Sequence, residues 1–136
     1  MEEIYKRRLW ERGRGLDLWS VPHFLFGILG AMLPQLFGIS SLTAFALVVI
    51  CALLWEVYEK LANIRETVLN SLFDIILSIL GFTIASLLLL AYPLEIYTLQ
   101  IVAAALFGLY MGINILGWFA HLKRKSVSRP QRETLP

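Results

Sequence analysis

Four long apolar runs, separated by short polar or proline-bearing breaks, organise this chain. They cover about residues 19–37, 42–61, 67–92 and 96–122. Each is close to or above the ~20 residues that cross the hydrocarbon of a bilayer as a helix. A lone apolar run of that length has to satisfy its own backbone polar groups in lipid, so all four are predicted to be helices rather than strands. Pro22 suits a first helical turn, where its missing N–H costs nothing. Pro34 and Gly38 are expected to end the first helix, the Ser40-Ser41 pair to open the second, and Pro93 to stop the third. The predicted fold is an all-α integral membrane protein, a four-transmembrane-helix bundle.

The runs are not uniformly oily. In the first, His23, Gly27, Gly30, Ala31 and Pro34 share a helical face, and its small residues would let another helix approach closely. The second run is apolar in its first half and turns polar at Trp55, Glu56, Tyr58 and Glu59. Glu56, Glu59 and Asn63 recur at i, i+3 and i+7 on one face. In the third, Asn70, Asp74, Ser78 and Gly81 line a face at spacings of four, four and three. The fourth carries a small-residue stripe of Ala104, Gly108 and Gly112, and a separate, more polar face of Tyr110, Asn114, Gly117 and His121. The small-residue stripes on the first and fourth runs suit internal packing and a homo-oligomer equally well.

Composition agrees with the pattern. Of 136 residues, 58% are hydrophobic and 16% charged, against ~45–50% and ~25% in soluble domains. A net charge of +2 gives no reason to expect nucleic acid as a partner. The single cysteine, Cys51, allows no intrachain disulfide and no C-x-x-C metal clip. The placement of charge says more than its sum. Five basic residues precede the first run, Lys60 and Arg65 lie between the second and third, and five follow the fourth, accounting for all twelve. With four spans these groups fall on one side, which the positive-inside rule makes the cytoplasm. The expected topology is a multi-pass cell-membrane protein with both termini inside.

Residues 1–18, with basic groups among Ile4, Tyr5, Leu9 and Trp10, read as an interfacial segment resting on lipid headgroups or as a loosely ordered basic tail. No cleaved signal peptide is expected, because the chain is charged from its start. Residues 123–136 are expected to form a disordered basic tail.

In that topology His23, Glu56, Glu59, Asn70, Asp74 and Asn114 converge in depth, roughly 5–12 Å from the inner boundary at 1.5 Å per helical residue. An ionisable group in a span costs ~2.5–3.5 kcal/mol at mid-membrane and marks a candidate functional site. Three carboxylates cannot all stay charged and unpaired there. Lys60 and Arg65 fold back over them, or one takes a proton, or together they hold a cation. A divalent metal could use Glu56, Glu59, Asp74 and His23, since oxygen donors with one imidazole suit Mg, Mn or Zn. A proton relay or solute path would use the same carboxylates. A purely structural network would hydrogen-bond the helices together at ~0.6 kcal/mol per contact. His121, beside Lys123, Arg124 and Lys125, reads as a boundary anchor, and the four tryptophans suit the aromatic belt.

Several enzyme classes find no footing in the sequence. No serine or cysteine nucleophile has a convincing histidine partner, and aspartyl proteolysis needs two facing aspartates where only Asp74 lies well inside a run. The paired histidines and arginines of lipid phosphatases are absent. A small multidrug exporter would carry its essential glutamate in the first span.

Asp17 before Pro22-His23-Phe24, Glu56-x-x-Glu59, Arg65, and Asp74-x-x-x-Ser78-x-x-Gly81 together resemble the VanZ-like family of small bacterial membrane proteins, over about residues 17–90. Related uncharacterised families share the helix 2–3 part of this pattern. The chain departs from the family in three places: Glu59 stands where a glutamine is usual, Ser78 where an asparagine is usual, and no lysine follows the first aspartate. The resemblance implies an association with the cell envelope and with low-level resistance to a lipoglycopeptide antibiotic, and no settled reaction. Carried over residue by residue, it points to His23, Glu56, Glu59, Arg65, Asp74 and Ser78. The site expected from the sequence is therefore Glu56, Asp74 and His23 as acid–base groups, with Arg65, Glu59, Asn70, Ser78 and Asn114 binding a lipid head group from the inner leaflet. The alternatives are a non-enzymatic structural or partner-assembly protein and a small proton-coupled transporter.

Overall fold

The computed structural model describes residues 20–61 and 67–127; for His121 and residues 123–127 it describes the backbone alone. The described chain is all-helical: α1 Ser20–Phe37, α2 Ser41–Leu61, α3 Val68–Ala91 and α4 Ile96–Val127. All four are long and apolar enough to cross a membrane. The expected interfacial segment 1–18 and the loop holding Arg65 lie outside the described residues.

Local chemistry sets the helix ends. Pro34 lies inside the last turn of α1 rather than ending it, and its carbonyl accepts the Gly38 N–H at 2.9 Å. Proline removes only the N–H that would bond to residue 30, which a single turn tolerates. Gly38 ends the helix, at φ +68°, a conformation that a side chain disfavours. Ser40 caps α2 by accepting the Thr43 N–H at 3.0 Å, and Thr67 caps α3 by accepting the Asn70 N–H at 3.2 Å. α4 continues as helix to Val127, beyond the apolar span that ends near residue 120. The sequence from Lys123 to Val127 holds no glycine or proline to stop it.

The helices alternate in direction, and α1 is the hub. It packs on α2, α3 and α4, while α2 also touches α3; α4 makes close backbone approach to α1 alone. The α1–α3 contact is the tightest, and it runs parallel. A Cβ on Gly27 would collide with the Ser78 carbonyl, and one on Gly81 with the Phe24 carbonyl. Each glycine thus admits the other helix's backbone, as small residues do in membrane bundles. A Cβ on Gly30 would strike the Val48 side chain, so the same face of α1 also seats α2. An apolar core of Ala31, Ala44, Val48, Phe82 and Ala85 fills the space between these three helices, with Phe45 edge-on to Phe82 at 5.4 Å. A second, smaller cluster of Met32, Leu89 and Leu99 anchors the start of α4.

The buried stripe of α3 changes character along its length. Asn70, Ser71, Asp74 and Ser78 occupy its first half, and Gly81, Phe82, Ala85 and Leu89 its second. The polar half lies at the end of the bundle where α1 and α3 begin and α2 ends. Packing at the apolar end therefore fixes which side chains meet at the polar end.

Candidate functional site

Asp74 is the centre of the polar end. It is 1% exposed, and its carboxylate is held from two helices. Ser20 Oγ, from the first turn of α1, donates to Oδ1 at 2.8 Å. Asn70 Nδ2, one turn back on α3, donates to Oδ2 at 3.2 Å. Hydrogen bonds to an ionised or polar buried carboxyl are the means by which such a group is tolerated in an apolar setting. Both bonds follow from placement. Asn70 is four residues before Asp74 on the same helical face, and the Gly27–Ser78 contact brings the start of α1 beside α3.

His23 lies one turn after Ser20 on α1, and its Nε2 is 3.8 Å from Asp74 Oδ2. Glu56, 4% exposed, enters from the end of α2. One donor atom each from His23, Glu56 and Asp74 lie within 4.8 Å of one another. Three helices thus deliver two carboxylates and one imidazole to a single point. The antiparallel course of α2 against α1 is what pairs residue 56 with residue 23.

The remaining expected residues take different places. Glu59 is buried one turn beyond Glu56 and is not one of the three converging donors. Ser78 is wholly buried, but its hydroxyl donates to the Asp74 backbone carbonyl at 3.1 Å, and its own carbonyl packs on Gly27. Its position therefore serves the helix contact. Asn114 donates Nδ2 to Tyr110 O at 2.8 Å on its own helix and faces a cleft rather than Asp74. Arg65 lies outside the described residues.

That cleft is a cavity of about 90 Å³ between α1, α2 and α4. Pro22, His23 and Phe26 form its floor, Ala52 and Trp55 one wall, and Tyr110 with Asn114 the other. It exists because α2 and α4 both pack on α1 without closing on each other. His23 is the one member of the converging triad that also lines the cleft, and its side chain is 11% exposed. It joins the buried carboxylates to an open space.

Ser20 is a site residue that the sequence reading missed. Its signal was present: it precedes His23 by three residues and so shares its face, at the depth of Asp74. No family model, no curated protein and no solved structure matches the chain.

Proposed function

We propose that this protein is a multi-pass membrane protein that takes the polar head of an amphiphile into the cleft between α1, α2 and α4, beside the His23–Asp74–Glu56 cluster. The observation that carries this is the double position of His23, on the cleft and 3.8 Å from Asp74. A cavity of about 90 Å³ is well below the ~300–1,000 Å³ of sites that engulf a whole ligand. It suits a small polar group carried by a molecule whose remainder lies in lipid. The apolar lining by Phe26, Trp55 and Ala52 fits the segment just below such a head. Asn114 and His23 supply the hydrogen-bonding groups.

The orientation follows from charge. All twelve basic residues fall at the ends of the chain or between α2 and α3, so the proposal places the polar end at the cytoplasmic face of the cell membrane. The VanZ-like resemblance adds an envelope setting for the amphiphile, and His23, backed by Asp74, is the proton-exchanging group that faces it.

A structural role is the second reading. Ser20 ties α1 to Asp74 of α3, and Asn70 and Ser78 hold Asp74 from within α3, as a structural network would. One experiment separates the two. Photocrosslinking with a diazirine-bearing phospholipid should label residues around Cys51 and Tyr110 in the wild-type protein, and Ala52→Phe, which fills the cleft, should abolish the labelling. Equal labelling of wild type and Ala52→Phe would leave the structural role standing.

A further inference from the structure

We infer that His23, Glu56 and Asp74 form a binding site for a divalent transition-metal cation of the zinc or manganese class. This goes beyond the amphiphile and does not depend on it, because the three donors converge whether or not the cleft takes a lipid.

The donor set is the first ground. One imidazole nitrogen and two carboxylate oxygens, from three different helices, lie within 4.8 Å of one another. A tetrahedral cation with bonds of ~2.0–2.1 Å holds its ligand atoms ~3.3 Å apart. His23 Nε2 and Asp74 Oδ2, at 3.8 Å, are already near that spacing. All three donors, within 4.8 Å of one another, need side-chain shifts of no more than about 1.5 Å in spacing to reach it. Mixed imidazole and carboxylate donors suit zinc and manganese better than a cation that takes oxygen alone.

The surroundings are the second ground. Ligating carboxylates are held by outer hydrogen bonds, and Asp74 has them: Ser20 fixes Oδ1 and Asn70 fixes the Oδ2 side. Asn70 is itself wholly buried, and its Oδ1 accepts no hydrogen bond among the described residues. Asn70, whose amide N–H holds Asp74, thus brings a buried, unused amide oxygen next to one of the three donors. A +2 cation would also offset the repulsion between Glu56 and Asp74, both buried in the same pocket of low dielectric.

Access is the third ground. A metal site needs an entry path, and His23 provides one by lining the cleft. Three protein ligands leave a coordination position open, as catalytic zinc sites do.

The test uses the full chain purified in detergent, stripped with a chelator and titrated with Zn²⁺ alone, then with Mn²⁺ alone, by calorimetry and by metal content after gel filtration. The expected result is one ion of at least one of the two metals per chain. Glu56→Gln and Asp74→Asn should each weaken binding at least tenfold, and His23→Gln should do the same. Glu95→Gln, in the α3–α4 connection, should bind as wild type does. If Asp74→Asn does not fold, Glu56→Gln and His23→Gln decide, with the metal-induced rise in melting temperature as a second readout that both should lose. Absence of binding by either metal, or binding unchanged in Glu56→Gln and His23→Gln, would overturn the assignment.

Discussion

α3 and α4 both lie against α1, and both carry glycine on a helical face, yet they use it differently. Gly81 of α3 meets the Phe24 carbonyl so closely that no side chain fits, and Gly27 of α1 meets Ser78 in the same way. Gly108 and Gly112 of α4 have nothing within 4 Å of where a Cβ would sit. α4 instead meets α1 through Leu99, Val102, Ala103 and Leu106, and Ala104 and Gly108 are exposed. The tight contact sets the register of Ser20 and His23 over Asp74. The looser one leaves the cleft open. A small-residue stripe is thus a licence for close approach, and a partner backbone has to be in position to use it.

This contrast can be broken most forcefully at the tight contact. Gly27→Val or Gly81→Val should destabilise the bundle by ~3 kcal/mol or prevent assembly, because the added methyls meet backbone that cannot rotate away. The midpoint of unfolding in mixed micelles of rising SDS fraction is the readout. Next in size is Asp74→Ala, which strands the Ser20 hydroxyl and the Asn70 amide; ~2–4 kcal/mol in the same titration is expected from the lost bonds to a buried carboxyl. Ser20→Ala removes one of those bonds and should cost ~1 kcal/mol. Gly108→Ala should be the mildest, within ~1 kcal/mol and of stabilising sign, since alanine is the better helix former and meets open space. A large loss at Gly108 would mean that α4 is packed on that face in the assembled protein.

Much of the helix plan was legible in the sequence, because twenty-residue apolar runs have few alternatives in lipid. The starts and ends followed residues with a local mechanism, such as Ser40 and Thr67 as caps and Gly38 at positive φ. Pro34 does not terminate α1, because one missing N–H is tolerated within a last turn. The fourth span ends near where its hydrophobicity does, at Ala120, while the helix itself runs on to Val127 because no glycine or proline stops it. The polar residues of α3 were legible as one stripe from their spacing. Their partners were not, because which helix faces the stripe depends on tertiary contact. Gly27 and Gly81 chose α1, and that choice brought in Ser20, a residue whose type gave no hint of a role. The same contact assigned Ser78 to packing. Asn114 shares the cleft with His23 but does not meet the carboxylates, because α4 approaches α1 and not α3 at that end.

The central claim is that the starts of α1 and α3 meet at one interacting site. It is tested most directly by a double-mutant cycle between His23 and Asp74, comparing His23→Gln, Asp74→Asn and the double variant in the SDS unfolding titration. Groups in one network couple by ~0.5–3 kcal/mol, and a value in that range is the predicted result. Effects that add to within ~0.3 kcal/mol would contradict the account, because residues 3.8 Å apart in a buried cluster cannot be energetically indifferent to each other.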